Sequence, residues 1–355
     1  KGLGNKTNFL SGKLPAAAIL GYQLARSLTF TFEQRSLPLI ERLVTGQFKD
    51  LTPEEKKHLP LLLKELFLLL KHDSQMCSEG YFPLSVYQTE NPQEHLFRLG
   101  KILWDGVGIS RRRTEKKAKV FKNKEKLELS KYPEYYQRNF HYQTNGYLSE
   151  QSAELYEHQV EILFSGGADA MRRLLIPLIK EQPVRHAKQL RFLEIGAGTG
   201  RLTRSMRLAF PEAHITCSEL SPAYLKKARQ RLGTFPKIDF IQANAEDLPF
   251  KDDSFDLVYS CFLFHELPLT ARKHVIKEGK RVLKPGGLFG LVDSLQKNDR
   301  AEFNWALRRF PTDFHEPFFK NYSITPMEKL VKDTSQFELV GSEKRLLAKA
   351  LLFRK

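Results

Sequence analysis

The stretch that most constrains how this 355-residue chain folds runs from Arg191 to Gly200, where a short apolar run passes into Leu193-Glu194-Ile195-Gly196-Ala197-Gly198-Thr199-Gly200. Arg191 to Ile195 follows a polar linker and reads as a buried strand, and Leu202 to Phe210 resumes helical spacing. Strand, glycine loop and helix in that order let a nucleotide-like ligand lie against backbone with no side chains to hold it off. A dinucleotide pattern, G-x-G-x-x-G, needs glycine at 201, where Arg201 stands, so a pyrophosphate cradle is disfavoured. Glu194, an acid placed just before the loop, suits a cationic ligand better than a phosphate.

Alternating strands and helices follow. A second strand, Ala213 to Ser218, ends at Glu219, and a carboxylate at the tip of that strand accepts hydrogen bonds from ribose hydroxyls. Ser221-Pro222 starts a helix through Tyr224, Leu225 and Ala228. A third strand, Ile238 to Gln242, leads into Asn244-Ala245-Glu246-Asp247-Leu248-Pro249-Phe250. A fourth, Phe255 to Ser260, leads into Phe262-Leu263-Phe264-His265-Glu266. A helix from Thr270 to Leu283 ends at Lys284-Pro285-Gly286-Gly287, before a fifth strand, Leu288 to Asp293. Two closing runs, Phe337 to Gly341 and Leu346 to Phe353, are expected to form an antiparallel hairpin.

This series of motifs resembles the class I S-adenosylmethionine-dependent methyltransferases, in particular the small-molecule branch similar to the ubiquinone/menaquinone-biosynthesis enzymes. The pieces that carry the resemblance are LEIGAGTG, the acid in CSELSP, NAEDLPF, FDLVYSCFLFHEL and VLKPGG, and they span residues 188 to 355. The resemblance implies a Rossmann-like α/β fold: a seven-stranded sheet with helices on both faces, here preceded by a mainly helical N-terminal region. It implies S-adenosyl-L-methionine as cofactor and a methyl acceptor as substrate. Gly196, Ala197, Gly198 and Gly200 would approach the methionine and ribose moieties, and Glu194 would orient the ammonium end. Glu219 with Leu220 would hold the ribose, and Asn244, Ala245 and Glu246 would meet the adenine. Asn244 departs from the aspartate of many relatives, but its amide oxygen still suits the adenine amino group. Ser260 to Phe264 would line the floor beside the sulfonium.

Methyl transfer from a sulfonium is an in-line displacement, in which positioning alone supplies about 7 kcal/mol or more. His265 is the candidate general base, because it follows the fourth strand at the sheet edge where ligands sit and a histidine titrates near neutrality. The same histidine could only shape the floor or cap the next helix, and both readings stand. Glu266 reads as a helix-start carboxylate. The long insert from Leu295 to about Ser335 is rich in aromatics, and Trp305, Phe314, His315 and Phe318 within it, with Phe264, are candidate substrate contacts. An aromatic wall suits a flat or apolar acceptor. Tyr142 and Tyr147 join these candidates from the aromatic cluster Tyr135, Tyr136, Phe140, His141, Tyr142 and Tyr147, which serves either as packing or as a lid over the site.

Three parts are therefore expected: a helical region at 1–131, aromatic-rich lid or linker helices at 132–187, and the methyltransferase domain at 188–355. Thr52-Pro53-Glu54-Glu55 reads as a helix start, and Pro60 is expected to bend or split that helix. No catalytic constellation emerges before about residue 135. No stretch of about eighteen apolar residues suggests a membrane span, and three odd, widely spaced cysteines, Cys77, Cys217 and Cys261, fit a reducing cytoplasm and no metal motif. The net charge of +16 raises the question of nucleic acid. The excess is spread over both halves, and the basic 111–126 segment has almost none of the aromatics that stack bases, which argues against RNA. Two alternatives stay open: an RNA or protein methyltransferase using that basic segment, and a non-catalytic scaffold that binds S-adenosylmethionine. Neither the acceptor nor the oligomeric state is legible in the residues.

Overall fold

The structure is a computed structural model that describes residues 14–45, 53–88, 92–114, 128–138, 140–142, 145–183 and 190–355. Three long helices come first, α1 (Ala16–Thr45), α2 (Pro53–Ser78) and α3 (Pro92–Thr114), followed by short turns and by α4 (Glu150–Leu163), α5 (Ala168–Arg173) and α6 (Leu175–Lys180). The alternating half then runs β1 (Arg191–Ile195), α7 (Arg201–Ala209), β2 (His214–Glu219), α8 (Pro222–Leu232), β3 (Ile238–Gln242), β4 (Phe255–Cys261), α9 (Leu269–Val282) and β5 (Leu283–Ser294). It closes with α10 (Asn304–Asp313), α11 (Phe319–Ile324), α12 (Met327–Ser335), β6 (Glu338–Arg345) and β7 (Ala348–Arg354).

The seven strands form one sheet in the order β3-β2-β1-β4-β5-β7-β6. β1 pairs in parallel with both β2 and β4, as do β2 with β3 and β4 with β5, whereas β7 runs antiparallel to β5 and β6. The chain returns to the middle of the sheet after β3, so the topological switch point lies between β1 and β4, where open α/β sheets bind ligands. The residues of β1 alternate between the two sides of the sheet. Phe192 joins a core with Met171, Leu175, Met206 and Tyr259, and Leu193 and Ile195 join another with Val275, Ile276, Val331 and Phe353. Each fully buried side chain of this size contributes about 1.5–3 kcal/mol. The resulting α/β sandwich is the Rossmann-like fold expected from the motif order.

The N-terminal helices are held by polar ties as well as by packing. Gln23 Nε2 donates to Leu70 O at 3.1 Å and to Ser74 Oγ at 2.7 Å, joining α1 to α2. Asp73 of α2 receives both Arg173 Nε and Nη2 at 2.8 Å from α5, with both partners buried, and Tyr87 donates to the same carboxylate at 2.7 Å. Met171, Leu174 and Leu175 reach the sheet core from this side, so residues 168–180 belong to the helical layer over the sheet.

Several expectations need adjustment. Pro60 does not split α2, which is assigned as helix from Pro53 to Ser78 with Pro60 on its exposed side. The helix expected through Met171 to Lys180 breaks at Leu174 instead, because Pro177 has no N–H for the Arg173 carbonyl and its ring crowds that turn. The basic segment divides: Arg111 to Arg113 continue α3, and residues 115–127 lie outside the described residues, as does Thr52. No helix among the described residues is long and apolar enough to cross a membrane.

Candidate active site

The carboxyl ends of β1, β2, β3 and β4 open into a cleft. Its floor comes from Glu194, Gly196, Ala197 and Gly198 after β1, Glu219 and Leu220 after β2, Ala243 to Ala245 after β3, and Cys261 to Leu263 after β4. The local sequence explains the loop. Gly198 has φ +56°, and a Cβ placed there would meet nothing within 4 Å, so its backbone faces open cleft. Gly200, at φ +79°, differs: a Cβ would fall 2.6 Å from Leu232 Cδ1, so this glycine serves the packing of α7 on α8 and does not line the cleft.

Two buried carboxylates border this floor. Glu219 Oε2 accepts from Gly198 N–H at 2.8 Å and Oε1 from Ser221 N–H at 2.7 Å, so the loop and the second strand tip fix each other. Burial raises its pKa, partly offset by those backbone bonds. Glu194 accepts from Thr203 Oγ1 at 2.5 Å, and burial pushes its pKa up to about 8 against that hydrogen bond. An acid held neutral by burial and bordering a cleft is poised to ionise when a cation enters. On the same side lies Arg172, buried and paired with Glu157 Oε2 at 2.9 Å, and both line the cleft. Arg201, read from sequence only as a break in the dinucleotide pattern, pairs with Asp169 and also lines it.

The other wall is aromatic. Tyr135, Tyr136, Tyr147, Tyr156 and Tyr224 face the floor, with Tyr147 edge-on to Tyr224 at 5.2 Å and stacked on Phe140 at 5.2 Å. Ser221 Oγ donates to Tyr147 O at 2.6 Å, and the Tyr135 hydroxyl donates to Glu246 Oε1 at 2.6 Å. The aromatic cluster thus packs on the α/β half and walls its cleft at once.

A second, largely apolar cavity adjoins the first, sharing Tyr156 and Phe262 with it. It is lined by α4 residues such as Val160 and Leu163, by Met171, and by Ala306, Leu307, Phe310 and Phe319 of the insert. His265 and His141 supply its polar edge. His265 Nδ1 lies 2.6 Å from Asp293 Oδ1. Burial alone would lower its pKa, but Asp293, Glu316 and Glu266 outweigh it and push it up to about 9. The expected titration near neutrality is therefore displaced upward, and the imidazole is cationic at neutral pH in the ligand-free protein.

Of the residues expected at the cofactor, Glu194, Gly196, Ala197, Gly198, Glu219, Leu220, Asn244 and Ala245 line the cleft. Glu246 does not; it ties down Tyr135 and lies 3.1 Å from His274 Nδ1. Ser260 is buried beneath the floor, its hydroxyl without a hydrogen-bond partner. Asn244 Oδ1, the atom suited to adenine, already accepts from Glu246 N–H at 3.1 Å. Of the residues expected at the acceptor, Tyr147 lines the cleft. Phe264 is wholly buried against Phe289, because its position after β4 points into the core. Trp305 stacks on His58 at 4.9 Å, and Phe314 packs on Phe310 at 4.9 Å. Phe318 meets Tyr135 edge-on at 6.2 Å, and His315, beside it in the insert, lines neither cavity. The Tyr142 side chain lies outside the described residues.

Residues 192–287 match the family model of a methyltransferase domain. The α/β half contains a methyltransferase domain of that family. A probable phthiotriol/phenolphthiotriol dimycocerosates methyltransferase of Mycobacterium ulcerans is 39% identical over 33% of this chain and 44% of its own length. The malonyl-[acyl-carrier protein] O-methyltransferase of Geobacter sulfurreducens is 35% identical, covering 40% of this chain and 52% of that protein. A ubiquinone/menaquinone biosynthesis C-methyltransferase of Bartonella tribocorum is 33% identical over 39% and 52% respectively. The chain spans about half the length of these relatives.

The methyltransferase domain fits S-adenosylmethionine on its own observations. The open backbone at Gly198, the carboxylate of Glu219 and the neutral, buried Glu194 offer a close approach, a hydroxyl acceptor and a counter-charge for a cation. Sequence reasoning missed Glu157, Arg172 and the apolar cavity, since each depends on α4 and α5 folding over the sheet.

Proposed function

We propose that this protein is an S-adenosylmethionine-dependent methyltransferase acting on a small, apolar or aromatic acceptor. The observation that carries the acceptor class is the apolar cavity beside the cofactor cleft, with Tyr156 and Phe262 lining both. S-adenosylmethionine supplies a methyl group already activated on a sulfonium. Glu219 holds the ribose hydroxyls, Glu194 ionises toward the ammonium end, and the buried Arg172 guanidinium receives the carboxylate. Asn244 and Ala245 border the adenine.

The tyrosine wall excludes water, which strengthens every polar interaction inside. Leu307, Phe310 and Phe319 hold the acceptor by its apolar body, aligning its nucleophilic atom through Phe262 and Tyr156. That atom gains the methyl group and loses a proton. With His265 already cationic, that proton leaves to solvent at the cleft mouth, and Asp293 fixes the His265 ring orientation. Three names among the relatives concern a C-methyltransferase, an acyl-carrier O-methyltransferase and a dimycocerosate enzyme. Their spread is consistent with a shared cofactor site and divergent acceptor cavities.

Methyl-labelled cofactor incubated with the protein and a fractionated cell extract tests the reading. Label in a small, organic-extractable product is expected. Label confined to RNA or to protein would overturn it.

A further inference from the structure

Behind the wall between the two cavities, three side chains from distant parts of the chain converge: His141 from the turn before α4, Glu266 after β4, and Glu316 between α10 and α11. One ligand atom from each lies within 4.8 Å of the others. Glu316 is completely buried, and neither of its carboxylate oxygens accepts a hydrogen bond. His141 Nδ1 lies 3.1 Å from Glu316 Oε1, and His141 Nε2 lies 3.5 Å from Glu266 Oε1. His265 Nε2 stands 3.8 Å from that same Glu266 oxygen, and the Tyr147 hydroxyl donates to it. Among the described residues the ion pairs of these two carboxylates are with histidines alone, with no lysine or arginine.

Two carboxylates in a dry place need a counter-charge, and an unpaired buried ion is costly. A lysine or arginine is the usual answer, and among the described residues neither carboxylate has one; the cationic His265 turns its Nδ1 to Asp293 and keeps its Nε2 3.8 Å from Glu266. We propose that His141, Glu266 and Glu316 bind one divalent first-row transition ion. Two carboxylates neutralise a dication. One imidazole with two carboxylates is a mixed nitrogen and oxygen set, which suits Mn²⁺, Fe²⁺ or Zn²⁺, whereas calcium and magnesium favour oxygen alone and thiolate-selected metals need sulfur. His265, oriented by Asp293, and Tyr147 stand directly around the set, as the partners that orient metal ligands commonly do.

The position gives the ion a role. His141 lines the apolar cavity and Glu266 lines the cofactor cleft, so the ion would sit where the acceptor meets the methyl donor. The acceptor is thereby narrowed to an apolar molecule with adjacent oxygen donors, such as a vicinal diol of an aromatic ring or a hydroxyl beside a carbonyl. This narrowing rests on the methyltransferase reading; the binding of the metal itself does not.

The test uses the untagged full chain, stripped with chelator and titrated with Mn²⁺, Zn²⁺ and, without oxygen, Fe²⁺, each alone. Calorimetry and elemental analysis after dialysis are expected to give one ion per chain for at least one metal. Glu316→Gln and His141→Ala should weaken binding at least tenfold, while S-adenosylhomocysteine affinity in Glu316→Gln stays within a few-fold and reports an intact fold. Wild-type protein that retains no metal, or a Glu316→Gln variant that retains it as well as wild type, overturns the proposal. Metal retained without S-adenosylhomocysteine binding would sink the methyltransferase reading and leave the metal site standing; cofactor binding without metal does the reverse.

Discussion

Glu194 occupies the end of a buried strand yet borders the cleft, and its chemistry follows from that double position. Burial pushes its pKa up to about 8, so the ligand-free protein carries it neutral at pH 7. A neutral acid with a raised pKa favours the fold at low pH, and that contribution is lost as pH rises through about 8. On the proposed role of Glu194, cofactor binding has the opposite preference, because the ammonium group favours the carboxylate. S-adenosylhomocysteine affinity is therefore expected to rise from pH 6 to pH 8, with proton release that calorimetry detects by comparing buffers of different ionisation enthalpy. Glu194→Gln should flatten this dependence; a variant that keeps it would show that another group titrates. The place of Glu194 at the cleft was legible in its position before the glycine loop. That of Glu316 was not, since its carboxylate meets His141 and Glu266 only when three separated segments fold together. No spacing motif announces such a set, and the sequence reading expected no metal at all.

Among the elements, the link between α2 and α5 carries a buried ion pair, Asp73 with Arg173, that ties the helical half to the layer covering the sheet. Removing one partner strands the other charge in the interior, at a cost of about 3–5 kcal/mol. Asp73→Ala is expected to lose that much in urea unfolding, and a loss under about 1 kcal/mol would show that water or another group takes over the guanidinium. The strands were legible because their apolar runs and the glycine and proline turns repeat at regular intervals. β5 is the partial exception: it starts at Leu283, earlier than the expected Leu288, because the Lys284-Pro285-Gly286-Gly287 turn is drawn into the strand. The helices of the insert were less legible, for their aromatics serve opposite ends. Phe310 and Phe319 line a cavity, whereas Trp305 and Phe314 pack on neighbouring rings. Periodicity does not tell one from the other.

Over the whole molecule, the sheet supplies the cofactor cleft, and the helical half together with the insert supplies the apolar cavity beside it. This division explains why the cofactor was readable and the acceptor was not. The loop and strand tips are local in sequence; the apolar cavity gathers α4, α5, β5, α10 and α11. It also predicts separable effects. Ala306→Trp projects an indole into the apolar cavity and is expected to raise the acceptor KM at least tenfold, with S-adenosylhomocysteine affinity within about twofold of wild type. Equal loss of both would mean that one continuous site had been misread as two.

The central claim is that the 194–200 loop and Glu219 hold S-adenosylmethionine, and titration calorimetry with S-adenosylhomocysteine addresses it directly. One binding site per chain is expected for the wild type. Gly198→Val should bind at least tenfold more weakly, because a branched side chain would enter the open cleft from a backbone held at φ +56°. A wild-type protein that gives no binding, or a Gly198→Val variant that binds as tightly as wild type, would contradict the account.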